Sequence, residues 1–236
     1  MESKLLLKIL SVVAVSSLVL LSNCNEPFAP VSPSLERFRQ DITYDSFTDT
    51  RDGTSYRTVT IGTQTWMADN LNYSAGNGSA CYDGNPSNCA KYGRLYNWAT
   101  AMALADSCNT RSCASQVQSK HQGICPSGWH VPSDAEWTIL VNYAGGESAA
   151  GWRLKSTSGW NYGGNGMDYY GFSALPGGGR WGDGSFNGAG YRGYWWSATE
   201  NGASYAWYRN MFNDYDNVYR NYYYKTYLFS LRCLKD

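Results

Sequence analysis

The chain has 236 residues, 19 Lys and Arg balanced by 19 Asp and Glu, and a formal net charge of zero. Without a basic footprint it does not suit nucleic acid, and without a polybasic run it does not suit electrostatic attachment to an anionic membrane. With 16% aromatic residues, 25 Gly and only 16% charged residues, it suits one β-rich domain with many turns, whose surface meets neutral polar ligands such as glycans, or proteins.

The first residues read as an export signal. Lys4 and Lys8 carry positive charge, and Ile9 to Leu21 is an apolar run too short to span a bilayer comfortably. The run ends in Leu21-Ser22-Asn23-Cys24, which resembles a bacterial lipobox and departs from it at Asn23, where the pattern prefers Gly, Ala or Ser. The expectation is a lipoprotein signal peptide over 1–23, lipidation of Cys24, and an outer-membrane or cell-surface location. Residues 24–48, with Pro27, Pro30 and Pro33, read as a flexible tether, and 49–236 as the domain.

Setting Cys24 aside leaves Cys81, Cys89, Cys108, Cys113, Cys125 and Cys233, an even set that implies disulfides in an exported protein. Six cysteines allow fifteen connectivities, and the sequence does not choose among them. One candidate set is Cys81–Cys89 and Cys108–Cys113 as local staples, with Cys125–Cys233 closing a long loop. No CxxC pair or neighbouring histidine supports zinc, so no metal and no cofactor is expected.

Along the domain, Asp49 to Gly53 is a turn, and Tyr56 to Ile61 alternates as a strand that turns through Gly62-Thr63-Gln64 into Trp66-Met67-Ala68. A loop of Gly, Asn and Ser runs to Cys89. Tyr92 to Met102 follows, with a helix in its second half, then a polar loop over 103–122. Ser133 and Glu136 form a capping box, and Trp137, Leu140, Val141 and Ala144 recur at helical spacing until Gly145-Gly146 ends the helix. This is the only strong helix signal in the mature chain. Ser156 to Gly193 is Gly-rich, with Trp160, Phe172, Ala174, Leu175 and Phe186 as markers of an ordered loop packed by its own side chains. Tyr194 to Thr199 opens a last sheet, continued by strands over 206–212, 218–224 and 228–234. In the last of these Phe229, Leu231 and Cys233 alternate as one half-buried face.

Several of these motifs together are similar to one family. Thr58-Val59-Thr60-Ile61-Gly62-Thr63-Gln64-Thr65-Trp66-Met67-Ala68-Asp69-Asn70-Leu71, Tyr92-Gly93-Arg94-Leu95-Tyr96-Asn97-Trp98 and Cys125-Pro126-Ser127-Gly128-Trp129-His130-Val131-Pro132 resemble the Fibrobacter succinogenes major paralogous (FISUMP) domain family. So do Tyr170 to Gly178, Tyr194 to Glu200 and Leu231-Arg232-Cys233. The resemblance covers about residues 50 to 236 and implies an exported, often lipid-anchored surface protein with no established enzymatic activity. Val131 to Trp137 also resembles a segment of sulfatase-modifying (formylglycine-generating) enzymes. That second resemblance implies an α+β, C-type-lectin-like fold, with a small twisted antiparallel sheet, about two helices and long ordered loops. It does not carry over their copper-binding cysteine chemistry, since every cysteine here has lipid or a disulfide as its fate.

No nucleophile elbow, metal-binding helix, P-loop or dinucleotide fingerprint occurs. His130 reads as a hydrogen-bonded core histidine. Glu136 reads as a cap, and Asp168, Asp183 and Glu200 as turn residues rather than a glycosidase pair. Asp49 with Asp52, and Asn213 to Asn217, read as Asx-rich turns rather than calcium loops. Tyr and Asn crowd the stretch from 201 to 227, the composition of paratopes. Trp181, Trp195, Trp207, Tyr219, Tyr222 and Tyr224 are the candidate ligand-binding residues, on an outward aromatic platform. The function expected is a non-catalytic surface module that adheres to an extracellular polysaccharide. The alternatives are a protein–protein or structural surface role, or an unrecognised enzyme.

Overall fold

The computed structural model describes residues 42–236, so the signal peptide over 1–23, Cys24 and most of the tether lie outside the described residues. The described residues form an α+β fold. The elements begin with β1 (Asp45–Thr48), β2 (Ser55–Ile61), β3 (Gln64–Met67) and β4 (Ser79–Ala80). Then come α1 (Pro86–Tyr92), β5 (Leu95–Tyr96), α2 (Trp98–Ala101), β6 (Trp129–His130), α3 (Asp134–Tyr143) and α4 (Glu147–Leu154). The remainder is strand: β7 (Gly177–Arg180), β8 (Phe186–Ala189), β9 (Arg192–Glu200), β10 (Tyr205–Phe212), β11 (Tyr219–Tyr224), β12 (Phe229–Ser230) and β13 (Leu234–Lys235). One sheet runs β1-β2-β3-β13-β6 and is antiparallel throughout. The larger runs β11-β10-β9-β12-β5-β4, with the β7–β8 hairpin attached alongside β9.

β9 divides the interior. Successive strand residues point to opposite faces, so Trp196 enters a core with Tyr96, Trp98, Tyr208 and Phe229, while Trp195 enters another with Trp66, Trp137, Leu140 and Phe172. The helix built on Ser133 forms as the sequence predicts. The Ser133 hydroxyl accepts the Glu136 amide at 3.2 Å, and the Glu136 carboxylate accepts the Ser133 amide at 2.8 Å. Trp137, Leu140, Val141 and Ala144 are all buried.

Four expectations change. The domain starts before residue 49, because β1 pairs with β2 and Phe47 packs on Trp129 with ring centroids 5.5 Å apart. With one apolar residue in Asp45–Thr48, that strand has no period of its own; the edge of β2 supplies it. Helices number four among the described residues, not about two. α1 is capped by Asn85 with Pro86 in its first turn, and α4 buries only Ala150, Gly151 and Leu154, a face too small to stand out as a hydrophobic stripe. A second sheet is present where one small sheet was expected, and the Gly-rich region contains the β7–β8 hairpin. Finally, Leu228 to Leu234 is buried on every side rather than alternately. The segment leaves the larger sheet as β12 and joins the smaller as β13, so it runs between the two cores. Arg232 is fully buried there, its guanidinium donating to the Asn70 side-chain oxygen and the Phe172 carbonyl, and burial lowers its pKa to about 10.

The three disulfides are Cys81–Cys89, Cys108–Cys113 and Cys125–Cys233. They fit an oxidising compartment outside the cytoplasm. Among the described residues, no helix is long and apolar enough to cross a membrane.

Candidate ligand-binding face

β10 and β11 form an antiparallel hairpin at the edge of the larger sheet, with β11 outermost. Register sets the faces: Tyr205 lies opposite Tyr224, Trp207 opposite Tyr222 and Arg209 opposite Arg220. These six share one face, and their rings form a ladder. Tyr205 and Tyr224 have centroids 4.6 Å apart, and Trp207 and Tyr222 meet edge to face at 5.3 Å. Tyr222 is 52% exposed and Tyr224 43%.

The ladder stands on an ionic base. Asp134, in the first turn of α3, accepts from buried Arg209 and from Arg220 at 2.8 Å. At the other end, buried Lys225 pairs with Glu200 at 2.7 Å, donates to the Ala203 carbonyl at 3.0 Å and lies over the Trp98 ring. Glu200 also accepts from the Cys113 amide at 2.7 Å and the Ser112 hydroxyl at 2.7 Å, which ties the Cys108–Cys113 loop to the hairpin. Both ends of the ladder are thus fixed by charges that are themselves paired.

The candidate residues do not all gather here. Tyr222 and Tyr224 stand on the outward ladder. Trp207 is half-buried with the Arg220 guanidinium over its ring, so it supports the ladder rather than presenting a free face. Trp195 is 0% exposed, and its indole N–H donates to the Asn70 side-chain oxygen at 2.8 Å; it is a core residue and not a ligand anchor. Tyr219 alternates onto the opposite face, packed on Phe212. Trp181 is half-buried in the β7–β8 turn against Tyr194, Tyr227 and Phe229, and reaches the ladder only through Tyr227, which packs on Tyr224. Tyr205 belongs to the ladder, although the sequence marks it only as one of many tyrosines.

Every carboxylate weighed for catalysis has a structural partner. Asp168 accepts from the Ser173 amide and hydroxyl at 2.6 Å each, and Asp183 accepts from the Ser185 hydroxyl at 2.7 Å. Glu136 bonds Ser133 and buried His130, and burial, which would raise its pKa, is outweighed by those bonds, which hold it at about 2. Asp49 is clasped by Arg51 through three N–H bonds, so it is not a free oxygen ligand. A cavity of about 360 Å³ does adjoin Glu136, Glu200 and His121, but the His121 ring is bonded to the Met102 carbonyl and the Gln118 amide.

The profile of the Fibrobacter succinogenes major domain matches residues 59–235. The chain belongs to this family. No curated protein matches it, and neither does any solved structure.

Proposed function

We propose that this protein is a lipid-anchored surface module that holds an extracellular polysaccharide on the Tyr205–Tyr222–Tyr224 ladder, without catalysing a reaction on it. The observation that carries this reading is a row of half-exposed rings braced on a rigid, paired-charge base. Aromatic side chains left in water on a fixed strand cost hydrophobic free energy unless something covers them. Flat rings on a stiff backbone match the apolar faces of pyranose rings and lose little entropy on binding. The absence of a net charge in the sequence favours a neutral polymer, and the structural engagement of Asp168, Asp183, Glu136 and Glu200 supports a binding rather than a hydrolytic role. Attachment through Cys24 would place the ladder outside the cell.

A second reading has one observation in its favour. β11 leaves one hydrogen-bonding edge without a neighbouring strand among the described residues, so a strand from a surface protein could pair there. Retention of the full chain on insoluble cellulose and xylan, compared with a Tyr222→Ala/Tyr224→Ala variant, separates the two. Loss of retention in the variant supports the glycan, and unchanged retention rejects it.

A further inference from the structure

The same hairpin ends, at its turn, in a cleft that the ladder does not include. From Tyr205 to Phe212 β10 advances about 23 Å at the usual strand rise, so the two lie at opposite ends of the strand. The cleft has a volume of about 590 Å³, within the range of small-ligand sites. Its floor and walls come from separate parts of the chain: Tyr82, Phe186 on β8, Tyr191 and Arg192 at the start of β9, and Phe212 and Tyr215 at the β10–β11 turn. Asn187, Asn213 and Asp214 place polar groups among these rings. One guanidinium and one carboxylate balance each other, so nothing there selects a strongly charged ligand.

The turn forming one wall is held in place more firmly than a surface turn requires. Lys155 is buried, and its ammonium donates to the Phe212 carbonyl at 3.1 Å and the Tyr215 carbonyl at 2.9 Å, with the Trp160 ring 5.3 Å away. A buried cation held by two backbone carbonyls, with no carboxylate bonded to it among the described residues, fixes the rings those residues carry. The Gly-rich region, at Gly164, and α4, at Gly151, fit against the same turn. A Cβ at Gly164 would collide with the Asn213 backbone, and one at Gly151 with the Asp216 and Asn217 carbonyls. The Asn213 amide donates to the Tyr191 carbonyl at 2.9 Å, joining the two walls. Beside Tyr191, Tyr162 takes a left-handed φ of 51° and stands 87% exposed, its ring 5.7 Å from the Tyr191 ring. A bulky residue in that conformation is uncommon, and such strain gathers at functional sites.

We infer that this cleft is a second binding site, for a short neutral oligosaccharide, pre-organised by Lys155 and the Gly-rich region. The choice of ligand class rests on the reading of the domain as an extracellular glycan binder; the cleft itself does not. Exposed aromatic rings, amide side chains and charges that cancel are the groups that recognise a sugar by its flat faces and hydroxyls.

The test is calorimetric titration of the disulfide-intact full chain with cellohexaose, xylohexaose and hexagalacturonate. Saturable binding of a neutral hexamer is expected, stronger than that of the acidic one. A Tyr191→Ala/Tyr215→Ala variant, which trims only exposed side chains, should bind it at least tenfold more weakly with unchanged melting. No saturable binding of either neutral hexamer, preference for hexagalacturonate, or undiminished binding by the variant would each overturn the inference. Hexasaccharide binding that is absent while insoluble polysaccharide is still retained removes the cleft and leaves the ladder. Hexasaccharide binding that depends on Tyr191 and Tyr215, with no polysaccharide retained, does the reverse.

Discussion

The Arg220 guanidinium lies over the Trp207 ring, 3.4 Å from its centroid, while its Nε donates to Asp134 at 2.8 Å. One side chain therefore couples the edge strand of the larger sheet to the first turn of α3. The negative carboxylate at that helix start is favoured by the helix dipole, and it is the group that holds Arg220 flat on the indole. An Arg220→Ala change uncovers Trp207 while leaving the Asp134–Arg209 pair intact. The expected cost is about 0.5–1 kcal/mol, as for an exposed cation–π pair. A small drop in melting temperature with a red shift in Trp emission is the measurement. Unshifted emission would mean that the indole was never covered.

Trp195 and the pair Tyr222/Tyr224 make opposite predictions. Trp195→Ala removes a fully buried ring and one of the donors to the Asn70 side-chain oxygen, at about 3–5 kcal/mol, so melting falls sharply. Tyr222→Ala/Tyr224→Ala should leave melting nearly unchanged and abolish retention on polysaccharide. If the double variant instead unfolds, the ladder serves stability rather than binding.

What the sequence conveyed and what it withheld divides along these residues. The Ser133–Glu136 capping box and the apolar spacing of α3 are local, so they were legible and form as read. Strand parity was present in the sequence too, yet the reading that set Tyr219 beside Tyr222 and Tyr224 ran against it. Trp195 and Trp196 look equivalent in sequence; each is buried because β9 is covered on both faces, a fact set by α3, β3 and β12 from elsewhere in the chain. The cleft was illegible because Tyr82, Tyr191 and Tyr215 carry no shared spacing and meet only through folding. Lys155 gave no signal either: a lone lysine after a helix reads as solvated, and only the two carbonyls it meets reveal its place.

Lys155→Met keeps the unbranched apolar stem and removes the ammonium. It leaves the Phe212 and Tyr215 carbonyls without their donor, at a cost of about 1–3 kcal/mol. Because those bonds hold the turn, hydrogen exchange at residues 213–217 should speed up more than exchange in β9. Equal acceleration throughout would show global loosening and no special role for Lys155 in the turn.

The Cys125–Cys233 bridge spans a sequence separation of 108 and fastens the turn before β6 to the segment leading into β13. By the loop-entropy argument, closing about 100 residues is worth about 4.7 kcal/mol. Cys81–Cys89 and Cys108–Cys113 close far shorter loops and hold less. A Cys125→Ala/Cys233→Ala variant should therefore lose the most stability of the three bridge deletions in chemical denaturation. A larger loss from either local staple would show that loop anchoring outweighs chain entropy here.

His130 gives stability a pH dependence whose sign follows from its partners. The imidazole is 1% exposed and lies between Glu136 at 3.0 Å and Asp236 at 2.7 Å. Burial disfavours its charge, but the two carboxylates outweigh burial and raise its pKa above 6.5. A group whose pKa is raised on folding stabilises fully below its unfolded value and loses that contribution as pH climbs through the folded one. Glu136 acts on the acid side: held at about 2, it stabilises above its unfolded value of 4.5 and loses that as pH falls toward 2. The His130–Glu136–Asp236 cluster thus contributes most between pH 4.5 and 6.5. Melting temperature should pass through a maximum in that window. His130→Gln should flatten the alkaline flank and Glu136→Gln the acid one. An alkaline flank of the same slope in His130→Gln would assign it to another group.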